Sequence, residues 1–272
     1  MKRFHITRLL AMLLTLCMLL PLGIIAESTS TAPDNYKYNI VHLDCGRKYF
    51  SVANIKELID TMSGAGFTHL ELAVGNDGMR FLLDDMSLTV NGKNYTSDTI
   101  KTGIQNGNKT YYNAGTTNEL TEGEMDEIIS YAFGKGIEII PLINTPGHMD
   151  SIQNCIEEAT GETVAYANSD RTIDVTNTTA VAFTKAFLQK YITYFADKGC
   201  TLFNMGADEY ANDVYEYGGM GFEQLINKSQ YSDFVNYVNE ISAMIKEAGM
   251  KPIAFNDGIY YNGNTEIGRA HV

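Results

Sequence analysis

Five short apolar runs, each set apart from the next by an amphipathic stretch of helix length, constrain this chain more than any other feature. YNIVHL (38–43), FTHLELAV (67–74), IEIIPLI (137–143), TLFNM (201–205) and PIAFN (252–256) read as buried strands. After the first, a helix is predicted from about Ser51, with Ile55, Leu58, Ile59 and Met62 on one face. Thr121 followed three residues on by Glu124 marks a capping-box start for a helix that turns Ile128, Ile129 and Ala132 inward. A long helix carrying Val181, Phe187, Leu188, Tyr191 and Phe195 leads into the fourth strand, and another, from roughly Ser232 to Ala248, leads into the fifth. SLTVNGKNYTS (87–97) breaks the alternation as an inserted hairpin, with Asn91-Gly92 as its tight turn.

Strands alternating with helices mean βαβ units and a parallel sheet. A doubly wound sheet and a (β/α)₈ barrel both have that order. A doubly wound nucleotide binder carries a glycine-rich turn after its first strand, and the sequence here, DCGRKY, is not one. A barrel gathers reactive groups at the C-terminal ends of successive strands. This chain does so: Asp44 and Arg47 follow strand one, Asn76, Asp77 and Arg80 strand two, Asn144 and His148 strand three, Asp208 and Glu209 strand four, Asn256 and Asp257 strand five. The expected fold is an α/β, (β/α)₈ TIM barrel represented by about its strands 1 to 5, within residues 37–266.

The flanks read differently. Lys2, Arg3 and Arg8 precede an apolar run that ends at Ala26, the pattern of a secretory signal peptide over 1–26. A membrane anchor is the alternative, and Pro21 and the shortness of the run count against it. Residues 27–36 form a polar linker. Losing the three leader charges takes the formal charge from -13 to -16, an acidic balance that disfavours nucleic acid and anionic membranes as partners. No later segment is apolar enough to span a bilayer, so the expected location is secreted or at the cell surface. Cys45, Cys155 and Cys200 are odd in number and lack motif spacing, which points to buried thiols and neither to disulfides nor to a metal site. No metal or organic cofactor is implied. The last six residues, IGRAHV (267–272), equal the translation of ATC GGA AGA GCA CAC GTC, a common sequencing-adapter sequence, and read as an assembly scar.

Asp208 and Glu209 carry the chemistry. Directly after a buried strand, neighbouring acids are poorly screened, and one of them is expected to keep its proton to a higher pH and act as a general acid. Protonating a leaving oxygen while a second carboxylate stabilises positive charge is the demand of glycoside hydrolysis. A retaining enzyme with its own nucleophile needs carboxylates on both sides of the bond, roughly 5 Å apart. Adjacent residues on one strand end suit a substrate that brings its own nucleophile.

LDCGRKYFS (43–51), ELAVGNDGMRFLLDDM (71–86), IPLINTPGHMD (140–150), FNMGADEYAND (203–213) and PIAFNDGIYY (252–261) together resemble glycoside hydrolase family 20, in order from about residue 38 to 261. The similarity is to the secreted or cell-wall β-N-acetylhexosaminidases of Gram-positive bacteria, whose substrates are glycans with terminal β-linked GlcNAc or GalNAc. The resemblance implies that Glu209 is the general acid/base and that Asp208 orients the substrate 2-acetamido group, whose carbonyl oxygen attacks the anomeric carbon to give an oxazoline. It implies that Arg47 grips sugar hydroxyls and that His148 lies near the acid. Asn76, Asp77 and Arg80 match a region that positions substrate or acid; an Asp-Arg pair bracing a tight loop is the plainer reading of the same residues. Asn144, where the family commonly has aspartate, is expected to weaken a charge relay through His148; Asp257 is placed with the substrate-binding set. The family's acetamido pocket is largely tryptophan from later strands, and this sequence has no tryptophan. The chain as given is therefore expected to lack strands 6 to 8, fold poorly and turn over little alone. A lacto-N-biosidase of the same family and a non-catalytic glycan-binding or inactive fragment are the rival readings.

Overall fold

The computed structural model describes residues 38–112 and 118–259; the leader, the linker and the 267–272 tail lie outside them. In chain order the elements are β1 (Ile40–Asp44), α1 (Val52–Gly64), β2 (His69–Asn76), β3 (Gly78–Met79), β4 (Leu88–Val90), β5 (Lys93–Tyr95), α2 (Ser97–Tyr112), α3 (Glu122–Gly134), β6 (Glu138–Thr145) and α4 (Asp150–Thr160). α5 (Thr178–Asp197), β7 (Leu202–Gly206), β8 (Tyr215–Glu216), β9 (Gly219–Met220), α6 (Phe222–Asn227), α7 (Tyr231–Glu247) and β10 (Lys251–Ile253) complete them.

The main sheet runs parallel in the order β1-β2-β6-β7-β10, with the two-residue β3 folded back antiparallel on β2. Each new strand joins the same edge, without the reversal that defines a doubly wound sheet. The fold is the (β/α)₈ barrel of the expectation, present as a five-strand arc. β1 and β10 close the arc's two ends among the described residues. β2 is buried along all eight residues, as a strand covered on both faces must be.

Local signals account for most boundaries. Ser51 and Thr121 each form a full capping box with the residue three on, which satisfies orphan N–H groups at the starts of α1 and α3. Asn91 and Gly92 both have positive φ, the geometry of a two-residue hairpin turn, so the inserted hairpin β4–β5 is where the sequence puts it. Leu58, expected on the inner face of α1, is only half-buried. The fifth strand is shorter than the apolar run suggests and ends at Ile253.

The sequence reading missed α2 and α4. Both carry a stripe, Ile100 and Ile104 in α2 and Ile152, Cys155 and Ile156 in α4, but it is narrow and set among polar residues, and the two helices meet through small residues. A Cβ on Gly103 would sit 2.8 Å from Cys155 Cα, and one on Gly107 2.6 Å from Ser151 Cα. Backbone-to-backbone approach of that kind removes the need for large side chains at the contact and leaves a stripe of only a few positions.

The aromatic part of the core lies under α5: Phe81 meets Tyr191, Tyr194 and Phe195 at ring-centroid distances of 5.6, 5.3 and 5.8 Å. Burying each such ring is worth about 1.5–3 kcal/mol, and the Tyr191 hydroxyl keeps its hydrogen bond by donating to Phe81 O (2.8 Å). Cys45, Cys155 and Cys200 are free and buried, and burial pushes each thiol up to about 12. None is poised as a nucleophile. No helix among the described residues is long and apolar enough to cross a membrane.

Candidate active site

The parallel arc delivers the strand ends to one rim, and there the predicted residues meet. His148 stands at the centre. Its Nδ1 is 2.7 Å from Asp77 Oδ1, and its Nε2 lies 3.1 Å from Glu209 Oε2 and 3.6 Å from Asp208 Oδ2. Arg47 closes the other side: Nε donates to Asp77 Oδ2 (2.7 Å) and Nη1 to Asp44 Oδ2 (3.1 Å). Arg47 Nη2 also lies 3.2 Å from His148 Nδ1. With the Nδ1 proton directed at Asp77, this last approach sets two N–H donors side by side and is not a hydrogen bond. Burial opposes charging the His148 ring, but the Asp77 hydrogen bond and the Asp208 and Asp77 charges outweigh it and raise its affinity for a proton. This contribution to folded stability is whole at pH below the unfolded histidine value and is lost as pH rises through the raised one.

Asp208 is held from behind. Asn144 Nδ2 donates to Asp208 Oδ1 (2.7 Å) and to Asn76 Oδ1 (3.3 Å), while Asn144 Oδ1 accepts from Ala207 N (3.2 Å). Asn76 Nδ2 in turn donates to Asp44 Oδ2 (3.0 Å). The expectation for Asn144 is thus corrected. The carboxylate on the imidazole is Asp77 on β2's exit turn, and Asn144 serves Asp208 instead. An amide is well suited to that place, since a carboxylate 2.7 Å from Asp208 would share its charge at high cost.

Glu209 is the most open member, with its side chain 55% exposed against 21% for Asp208. Its backbone N–H donates to Asp257 Oδ2 (2.9 Å), so Asp257 fixes the acid's main chain. Arg80 is buried, and its guanidinium donates to Gly46 O (3.0 Å) and Asn118 O (2.8 Å). That is the loop-bracing use of the residue, with backbone carbonyls in the place expected for Asp77.

Backbone strain concentrates at this rim. Asp77, His148, Ala207 and Glu209 all have φ between +46° and +64°, a region that residues with a Cβ enter at a cost of order 1–3 kcal/mol. Asp77 N donates to His148 O (2.7 Å), which holds two of these turns against each other. Two glycines let the turns close. Gly147 would place a Cβ 2.9 Å from Asp208 O, and Gly206, at φ +71°, would drive one into the Asn144 carboxamide. Gly206→Ala is therefore expected to cost about 1–3 kcal/mol and to displace Asn144 from Asp208. Thermal unfolding with and without the substitution checks it, and an unchanged Tm would remove the claim that this turn is strained.

A second polar line went unread in the sequence. Glu71, inside an apolar strand, accepts from Asn204 Nδ2 (2.8 Å) and pairs with His42 Nδ1 (2.7 Å), linking β1, β2 and β7 across the sheet. The Glu71 hydrogen bond raises the His42 proton affinity. A charge in the middle of HLELAV was the available signal, since buried acids are rare unless paired.

His148, Asp208 and Glu209 offer one donor atom each within 4.8 Å of one another. Proton sharing between the imidazole and the two carboxylates accounts for that grouping, and no metal is assigned to it. What the arrangement can do is hold one carboxyl group (Glu209) beside solvent and an imidazole, with a second (Asp208) fixed by an amide.

Comparison with known proteins points the same way. The sequence matches "Glycosyl hydrolase family 20, catalytic domain" over residues 36–270. A solved structure of the pneumococcal virulence factor StrH, described with its N-glycan recognition and hydrolysis, is 41% identical and superposes with a TM-score of 0.80, over 85% of this chain and 56% of that one. The GH20 β-N-acetylhexosaminidase of Streptomyces coelicolor A3(2), at 18% identity and a TM-score of 0.60 over 83% of this chain and 40% of that one, shares the fold. The lacto-N-biosidase of Bifidobacterium bifidum is 26% identical over 164 residues, which are 57% of this chain and 14% of that protein. The chain thus spans little more than half of the StrH chain and a small part of the biosidase.

Proposed function

The chain belongs to glycosyl hydrolase family 20, and from that premise we propose that it carries the acid pair of an exo-β-N-acetylhexosaminidase that removes terminal β-linked GlcNAc or GalNAc from glycans. The observation that carries the reading is the adjacent pair Asp208–Glu209, one acid bonded to Asn144 and the other beside His148. Neighbours on one strand end do not straddle a sugar, so the protein supplies an acid and an orienting carboxylate while the 2-acetamido oxygen supplies the nucleophile. Glu209 protonates the glycosidic oxygen as the acetamido carbonyl attacks the anomeric carbon. Asp208 accepts the acetamido N–H and stabilises the positive charge that develops in the oxazoline. Glu209 then takes a proton from the water that opens the ring, with net retention. His148, charged by Asp77, sits where it can answer each change of charge on Glu209.

Arg47 presents its guanidinium, 44% exposed and anchored by Asp44 and Asp77, as the donor for ring hydroxyls of the terminal sugar. With the leader at 1–26, the reading places the enzyme outside the cytoplasm, at the cell surface or free; fractionation with a tagged gene product tests that.

The activity test is hydrolysis of aryl β-GlcNAc, aryl β-GalNAc and aryl lacto-N-bioside by the full-length protein, with the product anomer read by NMR. Release of the β-anomer of a monosaccharide is the expected result. Release of the disaccharide alone moves the assignment to a lacto-N-biosidase, and no release from any of the three, with binding retained, moves it to a glycan-binding module.

A further inference from the structure

Asp150 is used by none of the steps above, yet its carboxyl group interacts with that of Asp77 through charge and a side-chain hydrogen bond. It opens α4 two residues after His148. Ser151 N donates to Asp77 O (3.0 Å), and Asp77 N donates to His148 O (2.7 Å), so the three turns are locked together. The Asp150 and Asp77 side chains are 9% and 1% exposed. Two carboxyl groups in contact at that depth do not both ionise, because repulsion and lost hydration act on the same pair.

Their other partners decide which one keeps the charge. Asp77 accepts from Arg47 Nε and His148 Nδ1, each at 2.7 Å. Asp150 Oδ1 faces Arg171 Nη2 at 3.9 Å, beyond hydrogen-bonding range, and Arg171 Nε lies equally far from Asp213. Asp150 Oδ2 is buried with no protein N–H or O–H reaching it among the described residues. In the anion that oxygen would be an unpaired buried acceptor, with a backbone N–H at the start of α4 serving the carboxylate elsewhere, whereas the acid has a ready acceptor in Asp77.

We propose that Asp150 is a positioning residue, a neutral carboxylic acid that donates a hydrogen bond to Asp77 and so holds Asp77 in the orientation that His148 and Arg47 require. The groups facing it agree. Asp77 approaches from the turn after β2, Arg171 and Asp170 from the loop before α5, and Glu157 from further along α4; α2 contributes Gly107 and Thr110, which do not titrate. Burial and the Asp77 charge push the Asp150 carboxyl up to about 7, against Arg171 and a backbone N–H at the start of α4. The start of a helix ordinarily favours an anion by about 0.3–1 kcal/mol, less than the two opposing effects together. The relay therefore carries its own pH response. As Asp150 ionises, a second negative charge arrives beside Asp77 and tightens the hold of His148 on its proton.

The sign for stability is fixed by the same shift. The folded chain keeps a proton that the unfolded chain releases from about pH 4 upward, so this group's contribution is whole below that pH and is lost as pH rises to about 7. Asp150→Asn, which keeps a donor and cannot ionise, is expected to gain in Tm over the wild type between pH 4 and pH 8.

The test is an NMR titration of the full-length protein, with the His148 imidazole assigned by its loss in His148→Gln. In the wild type the His148 signals are expected to move in two steps, one near pH 7. In Asp150→Asn they are expected to move in a single step at lower pH. Carboxyl ¹³C labelling of aspartate in the wild type reads the Asp150 ionisation without any substitution. A carbon titrating near pH 4, or a His148 titration unchanged by Asp150→Asn, would overturn the proposal. The functional reading above is needed only for the consequence in catalysis. These measurements use no turnover, so failure to cleave N-acetylhexosaminides sinks that reading and leaves this one standing.

Discussion

Glu209→Gln in the full-length protein is expected to lower kcat/KM on a glycan or alkyl N-acetylglucosaminide by ~10²–10⁴-fold, the range general acid catalysis supplies. The loss should shrink toward nothing for the first step on a dinitrophenyl glycoside, whose leaving group departs without a proton. The physical ground is position: Glu209 is the exposed end of a relay whose other members are fixed, with Nε2 of a buried His148 3.1 Å away. Glutamine keeps the size and the contact but carries no transferable proton. The measurement is a series of aryl glycosides of graded leaving-group acidity, with the slope of log kcat/KM compared between the two proteins. A steep slope only in the variant confirms the role. Parallel slopes would assign the proton transfer to another group, and an unchanged rate on the alkyl glycoside would remove Glu209 from the chemistry altogether.

Asp208→Asn carries the second large effect. Removing one preorganised partner of developing charge costs on the order of 10²–10³-fold in kcat, and in the proposed mechanism that charge is the forming oxazolinium ring's. Asn144 makes the case sharper. It donates to Asp208 Oδ1 at 2.7 Å, a contact that fixes this carboxylate oxygen as an acceptor and leaves Oδ2 toward the rim. An asparagine at 208 can present its amide N–H where the acetamido N–H should be received, turning attraction into conflict. The comparison that matters is between substrates of rising acetamido basicity, from trifluoroacetamido to acetamido. The wild type should gain rate steeply along that series and the variant much less. Equal dependence in both would mean that Asp208 does not act through the acetamido group.

Much of this could be read before any coordinates. The alternation of apolar runs and helices gave the barrel because strand and helix periods depend on neighbours within a few residues. The capping boxes at Ser51 and Thr121 and the Asn91-Gly92 turn are local in the same sense. The residues that gather at the rim could be picked out because a barrel puts its chemistry at strand ends, so their sequence positions mark them. What failed was long-range. α2 and α4 escaped because their contact is made largely by glycine against backbone, leaving only a narrow apolar stripe among polar residues. Glu71 escaped because its partners, His42 and Asn204, sit on other strands.

The roles within the site divide along the same line. Sequence alone determined which residue types gather at the rim: Asp208 and Glu209, His148, Arg47 and the Asn76–Asp77 pair. Only the tertiary structure decided who serves whom. It gave His148 to Asp77, Asp208 to Asn144, the main chain of Glu209 to Asp257 and the guanidinium of Arg80 to two loop carbonyls. It also set Asp150 against Asp77, two acids that 72 intervening residues separate along the chain. A side chain's type is written at one position, but its charge and its partner depend on distances of a few ångströms between turns that only the closed sheet brings together.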